Sequence, residues 1–297
     1  MTISGTWTVQ FAGCKVTIAW RGDAAPAILE FLFGRPNGTD ADSVAEHFQF
    51  IADTGQQQFE IFQGTRSIYA DASAGTTAGV LLDKVVTELA GACLMGPVFH
   101  AGALVTKSGS GLLLPGKSGA GKSTLAATLG QRGWRYLTDE LVCIAAGSDT
   151  IQGFERPIHL KHPSDEIFAH LCPANDRHSG AAPGGCMIST QGLLIDAALL
   201  NTSRHDGHPP AGLIVFPQFV PEAACHIEPL TPALACARLM GAVVNARNLR
   251  GHGLEEISRI ARRVPAYAMR FGDLEHGVQS IDDLAVSLIP EISPSLR

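Results

Sequence analysis

Eight consecutive residues constrain this chain more than any other feature. Gly116-Lys117-Ser118-Gly119-Ala120-Gly121-Lys122-Ser123 fits the pattern G-x-x-x-x-G-K-[ST] at every position. The apolar run Leu112-Leu113-Leu114 stands before it, and a helical stretch over 122–131, with Thr124 in its first turn, follows. Such a loop works at a strand-to-helix junction. There, glycines let successive backbone N–H groups turn inward around phosphate oxygens, and the helix dipole favours negative charge. An α/β fold is therefore expected around a nucleotide-binding set of Gly116, Lys117, Ser118, Gly119, Ala120, Gly121, Lys122, Ser123 and Thr124. Lys122 is expected to reach the β- and γ-phosphates of ATP, and the Ser123 hydroxyl to ligate Mg²⁺.

The rest of the sequence narrows the class. It contains neither an Asn-Lys-x-Asp guanine motif nor a Leu-Ser-Gly-Gly-Gln signature, which disfavours a GTPase and a transport-type ATPase. The strand-like run Leu213-Ile214-Val215-Phe216-Pro217 ends without an acid, so the acidic group lies elsewhere. Asp139-Glu140, seventeen and eighteen residues after Lys122, directly follow a strand expected over Trp134–Leu137. If that strand runs parallel to 112–115, its end shares a sheet edge with the loop, where ligands bind in open α/β sheets. One carboxylate can then hold Mg²⁺ and the other accept a proton from an attacking hydroxyl. An acidic cap or surface turn is the plainer alternative.

Val98–Thr106 and Leu112–Leu114 read as the arms of a hairpin whose turn spans residues 107–111. Centring that turn on Gly109 sets residue 102 opposite 116 and puts His100 beside the start of the loop. An imidazole there can orient a phosphate or assist proton transfer; a structural histidine on a buried strand is the competing reading.

Organisation along the chain is legible in part. Residues 6–22 and 47–70 alternate as short strands, giving a small β-rich N-terminal unit over 1–75, with the α/β domain over 76–297. A helix is expected over 76–95, and residues 146–211 read as loops with short elements. Thr231-Pro232 marks a helix start, running to about Asn245. Leu254, Ile257, Ile260, Ala261 and Val264 mark an amphipathic helix with Glu255 and Arg259 paired at i,i+4. Ala266–Phe271 reads as a last strand and 274–288 as a last helix.

Composition excludes other classes. The chain has 297 residues and a net charge of −6, a poor match to nucleic-acid binding, which uses clustered Lys and Arg. Only six residues are Lys, yet Lys107, Lys117 and Lys122 fall within sixteen positions, which hints at one local anion site. The apolar stretch 89–106 contains His100 and is split by Gly96-Pro97, so it reads as helix plus buried strand and not as a bilayer span. Met1–Trp7 lacks a basic segment followed by an apolar core, so a cytoplasmic protein is expected. The seven cysteines are scattered without a Cys-x-x-Cys pair and are expected to be reduced, buried small residues.

Taken together, His100-Ala101-Gly102, the 116–123 loop and Asp139-Glu140 resemble the HPr kinase/phosphorylase family, and more closely the HPr-kinase-related kinases. The resemblance covers about residues 98–145. Arg156-Pro157-Ile158-His159-Leu160-Lys161 looks like a further segment of those kinases, and Val215-Phe216-Pro217 and Arg262–Tyr267 look similar to later blocks. The resemblance implies a fold related to phosphoenolpyruvate carboxykinase, Asp139 as catalytic acid/base, and Glu140 as its support or a metal ligand. It also implies a homo-oligomer. Arg156 and Lys161 would contact phosphates or substrate, with surface charge as the alternative. The chain departs from typical members at Lys117 and Thr124, where they carry acids, and lacks their Glu-Ile-Arg-Gly-Leu-Gly signature. Neither HPr as acceptor nor phosphorylase activity is therefore carried over.

Two weaker patterns remain. His159, His162, His170, Cys172 and His178 cluster within twenty residues without a standard metal spacing. Arg247, Arg250, Arg259, Arg262 and Arg263 form a basic stretch that suits a solvated face or a contact to an acidic substrate. The leading functional expectation is an ATP-dependent kinase acting on a hydroxyl, serine-type, of a small protein, peptide or small molecule. A nucleotide-binding regulatory module and a carboxykinase-like enzyme are the alternatives.

Overall fold

The computed structural model describes residues 3–35, 47–172, 185–200, 202, 203, 205 and 207–288. His178, one member of the histidine cluster, lies outside them.

Alternating burial shapes the first sheet. β1 (Ser4–Phe11) and β2 (Cys14–Arg21) form a hairpin closed by Ala12-Gly13, both at positive φ. α1 (Ala25–Phe33), with Pro26 in its first turn, leads to β3 (Phe48–Asp53), which pairs parallel with β2. In β3, buried Phe48, Phe50 and Ala52 alternate with less buried neighbours, as a strand with one core-facing side requires. β4 (Gln58–Gln63) and β5 (Arg66–Asp71) complete an ordered β1-β2-β3-β4-β5 sheet. α2 (Ala74–Ala92) packs against β2, β4 and β5, burying Leu81, Leu82, Val85 and Leu89.

The chain then builds β6 (Val98–Val105), β7 (Gly111–Pro115), α3 (Lys122–Gln131), β8 (Arg135–Thr138), β9 (Leu141–Cys143) and β10 (Gln152–Gly153). It continues into an antiparallel three-stranded sheet of β11 (Ile158–Lys161), β12 (Cys186–Ser189) and β13 (Gly192–Ile195), with the short α4 (Asp165–Phe168) between β11 and β12. Then follow β14 (Ala211–Phe219), β15 (His226–Pro229), α5 (Pro232–Met240), α6 (Leu254–Arg263), β16 (Ala266–Phe271) and α7 (Leu274–Leu288).

These elements fall into two compact units, Met1–Ala92 with Glu155–Leu199, and Cys93–Phe154 with Leu200–Arg297. The first unit is thus not a single segment ending near residue 75: α2 packs on its sheet, and β11–β13 rejoin it. The mixed α/β second unit is centred on a sheet ordered β10-β9-β6-β7-β14-β16-β15, with β8 also on β6. β7, β14 and β16 are parallel, and antiparallel strands flank them. Successive residues go to opposite faces. Leu113 and Ile214 join the core beneath α5 and α6, while Leu112, Leu114, Leu213 and Val215 pack with α3 and α7. Among the described residues no helix is long and apolar enough to cross a membrane.

Three local expectations are corrected. Cys172 and Cys186 are not reduced thiols but a disulfide, with Cα atoms 6.0 Å apart, because the start of β12 lies beside residue 172. α5 stops at Met240, before a short irregular run, and does not reach Asn245; its start is as expected, with Thr231 Oγ1 accepting the Leu234 N–H at 3.4 Å. Arg259 does not pair with Glu255. It bonds Glu256 at 2.9 Å and also Asp149, since the 147–149 turn lies against that side of α6.

Candidate functional site

The 116–123 segment joins β7, whose five residues are all buried, to the start of α3. Gly119 (φ 81°) and Gly121 (φ 93°) take left-handed backbone, which glycine adopts without the cost other residues meet. Gly121 is required twice over, because a Cβ there would sit 2.9 Å from the ring edge of Phe271. That ring packs edge-on against Phe219, centroids 5.6 Å apart. No side chain caps the N-terminus of α3. Its first-turn N–H groups therefore form the donor set that an anion would satisfy.

Lys122 opens the helix and is only 5% exposed. Its Nζ donates to the carbonyls of Gly116 at 2.8 Å and Lys117 at 3.0 Å, so the ammonium lies folded inside its own loop. The Ala120 N–H donates to the Lys117 carbonyl, and the Ala120 carbonyl accepts from Phe219 N–H, tying the loop to the end of β14. Ser123 and Thr124 are half-buried in the first helical turn, while Lys117, Ser118 and Gly119 are exposed.

The hairpin register differs from the expected one. Gly102 pairs with Leu114, not with residue 116, and the arms close at Val105↔Gly111. The turn proper is Lys107-Ser108-Gly109, shortened because Thr106 N–H and Oγ1 both bond to the Ser110 backbone. His100 therefore continues toward the level of Gly116 and pairs on its other side with Leu141.

β8 and β7 are both antiparallel to β6, so they run in the same direction, as expected. The chain does not leave the sheet at Asp139-Glu140, however. Ala103↔Thr138 and His100↔Leu141 keep one register, and the Glu140 carbonyl accepts from Ala101 N–H at 3.0 Å. The acidic pair directly follows the end of β8, as expected, with Thr138 Oγ1 accepting the Glu140 N–H, and β9 then resumes the pairing with β6.

This register sets Asp139 level with Gly102. A Cβ on Gly102 would lie 3.5 Å from Leu114 Cβ and 3.8 Å from the Lys122 carbonyl, so the start of α3 sits over a residue with no side chain. Asp139 is 2% exposed and accepts a hydrogen bond from Tyr136 Oη at 3.0 Å. His100 Nε2 lies 3.5 Å from Glu140 Oε1, with both side chains partly exposed. The fold thus gathers His100, Asp139 and Glu140 on β6 and its neighbour, one strand from β7 and its loop. Sequence reading missed Tyr136, whose signal is its place three residues before Asp139, and the Phe219–Phe271 pair beneath Gly121.

The other expected residues fall on other elements. Arg156 and Lys161 belong to the first unit, whereas the loop belongs to the second. Arg156 is fully buried, its Nε donating to the Pro157 carbonyl at 3.1 Å, and Lys161 is exposed at the end of β11. In the histidine cluster His162 pairs with Asp165 at 2.8 Å, His170 Nδ1 meets the Ile167 carbonyl, and Cys172 is in the disulfide. Among the described residues no group of three or more His, Cys, Asp or Glu side chains is placed to hold a metal ion. The oxygen donors Ser123, Asp139 and Glu140 nevertheless suit Mg²⁺, which takes one or two carboxylates and completes its shell with phosphate and water.

No protein-family model matches the chain, and no curated protein matches it. Among solved structures it is similar to the Hpr(Ser) kinase/phosphatase from Coxiella burnetii, with a TM-score of 0.31 and 14% sequence identity over 64% of this chain and 92% of that one.

Proposed function

We propose that this protein is an ATP-dependent phosphotransferase that passes the γ-phosphate to a serine-type hydroxyl of a small protein, peptide or small molecule. One observation carries the reading: the Lys122 ammonium is held inside a glycine loop at the N-terminus of α3, and the buried carboxylate of Asp139 lies across β6 from the strand that leads into that loop. The motif set that resembles the HPr kinase/phosphorylase family supports the same assignment.

The loop N–H groups and Lys122 bind the β- and γ-phosphates. Asp139 accepts the acceptor's hydroxyl proton as the acceptor oxygen bonds to the γ-phosphorus. The bond to the β–γ bridging oxygen breaks, and ADP carries that electron pair away. Tyr136 donates to Oδ1 of Asp139 and holds the carboxylate in place. His100 orients Glu140 beside it. Ser123 with Asp139 or Glu140 would hold Mg²⁺, which when bound neutralises charge on the phosphates.

The test is Asp139→Asn. Acceptor-dependent transfer should fall at least about 100-fold, the usual contribution of a positioned base, while ATP affinity stays within a few-fold. Comparable turnover in the variant would overturn the role of Asp139. ATP consumption that never depends on any added acceptor would point instead to a nucleotide-binding regulatory module.

A further inference from the structure

The carboxyl ends of β7, β14 and β16 carry a second feature beside the loop, a cavity of about 600 Å³. Its floor is a ladder of cross-strand partners. Gln218 pairs with Arg270, which pairs with His226; one rung back, Phe216 pairs with Ala268, which pairs with Glu228. Residues two apart on a strand share a face, so both rungs line the same side of the sheet. From α5, the Arg238 guanidinium lies over the Phe216 ring, 5.7 Å from its centroid. Gly116, Lys117 and Ala120 close the edge nearest the loop.

The charge of this cavity runs against that of the chain. Three fixed cations line it, Lys117, Arg238 and Arg270, all exposed. Glu228 is the one carboxylate among its lining residues, and it faces His226 at 3.8 Å. Composition does not explain a cationic surplus on a molecule of net charge −6. Cations gathered round one cavity repel each other and raise the local concentration of an anion. Two guanidiniums offer the planar fork that carboxylates accept, and Phe216 and Ala268 between them give a short carbon skeleton an apolar contact. The volume lies in the range of small-molecule sites, and the place, at the carboxyl ends of parallel strands, is where ligands sit in such sheets.

We propose that this cavity holds the phosphate acceptor and that the acceptor is a small hydroxy acid. Its carboxylate sits on Arg238 and Arg270, and its hydroxyl points to the Gly116–Ala120 edge, where the γ-phosphate would be presented. This inference rests on the phosphotransferase reading and names its substrate class. Glu228 repels a second acidic group at the β15 end, so monoacids should bind more tightly than diacids.

The test titrates the whole chain calorimetrically with D-glycerate and L-malate, and with their uncharged counterparts glycerol and butane-1,2,4-triol. Each titration is run with and without saturating Mg·ADP. The acids should bind, glycerate more tightly, and the triols should not. Arg238→Gln and Arg270→Gln should each weaken glycerate about tenfold or more, as loss of a charged hydrogen-bond partner does. ADP binding, measured in parallel, reports whether loop and fold are intact in each variant. Acids that bind no better than the triols, or that bind equally well to both variants, would overturn the proposal. An acidic seryl peptide that binds where glycerate does not would overturn the small-molecule assignment. Failure of the wild-type chain to bind ADP at all would instead count against the phosphotransferase reading, and the titrations without ADP keep the two failures apart.

Discussion

Lys122 Nζ donates to the carbonyl of Gly116 at 2.8 Å, so the cation that a nucleotide would need is already engaged by its own loop. Phosphate oxygens must compete for it with two backbone carbonyls, those of Gly116 and Lys117. A charged hydrogen bond to phosphate outmatches a bond to a neutral carbonyl. Replacing Lys122 with Met keeps most of the apolar stem and removes the charge. ATP affinity should drop at least about tenfold, and the rise in melting temperature that ATP gives the wild-type protein should shrink accordingly. Equal ATP protection of the two proteins would remove Lys122 from the site.

Gly121 is the loop position least able to change. A side chain there meets left-handed backbone, at about 1–2 kcal/mol, and pushes on the Phe271 ring, at about 1–3 kcal/mol for overpacking. Gly121→Ala should therefore lower the urea midpoint and weaken ATP binding together. Gly119→Ala makes a useful contrast: the φ is similar, but nothing lies within 4 Å of the added Cβ. Its stability loss should be confined to the backbone cost.

That contrast also shows what the sequence made legible. The loop, its strand and its helix follow from eight residues, because each glycine and the Lys-Ser pair have local reasons to be there. β14, β16 and α7 were readable from continuous apolar runs and helical periodicity. The hairpin register is not, because it depends on which turn residue closes the arms: Thr106 bonding Ser110 shifts the expected pairing by two residues, and His100 still falls level with Gly116 at the start of the loop. Asp139-Glu140 is legible as the end of β8 because a polar pair after an apolar run normally ends a strand. The return of β9 onto β6 just beyond it is not, because it depends on pairing with a distant segment. The Cys172–Cys186 pair and the return of β11–β13 to the first unit depend on contacts between distant segments, which no local pattern encodes.

Asn245 anchors the strand that carries His100. Its Oδ1 accepts the Val98 N–H at 2.9 Å, and its Nδ2 donates to the carbonyls of Cys93 at 3.0 Å and Gly96 at 2.9 Å, all at a side chain that is 2% exposed. Asn245→Ala leaves three backbone groups without these partners, each costing about 1–3 kcal/mol when buried. A loss of about 3 kcal/mol or more is expected in urea unfolding, with the slope unchanged. A loss below 1 kcal/mol would show that water replaces the amide.

The clasp between α6 and the 147–149 turn sets an acid limit on stability. Gly147 N–H and then Arg259 hold the Glu256 carboxyl below its usual range, and Arg259 with Arg263 does the same for Asp149. Carboxyls with depressed folded-state values bind fewer protons folded than unfolded. They stabilise the fold above the ordinary carboxyl range, near pH 4, and lose that contribution as the pH falls through the depressed values. Glu256→Gln should therefore unfold at lower urea than the wild type at pH 7, and the gap should close as the pH falls below the ordinary carboxyl range of about 4. Because Asp149 and Arg263 at its outer side are exposed, added salt should narrow the pH 7 gap as well. A gap that stays constant across this pH range would mean that Glu256 acts through packing and not through its charge.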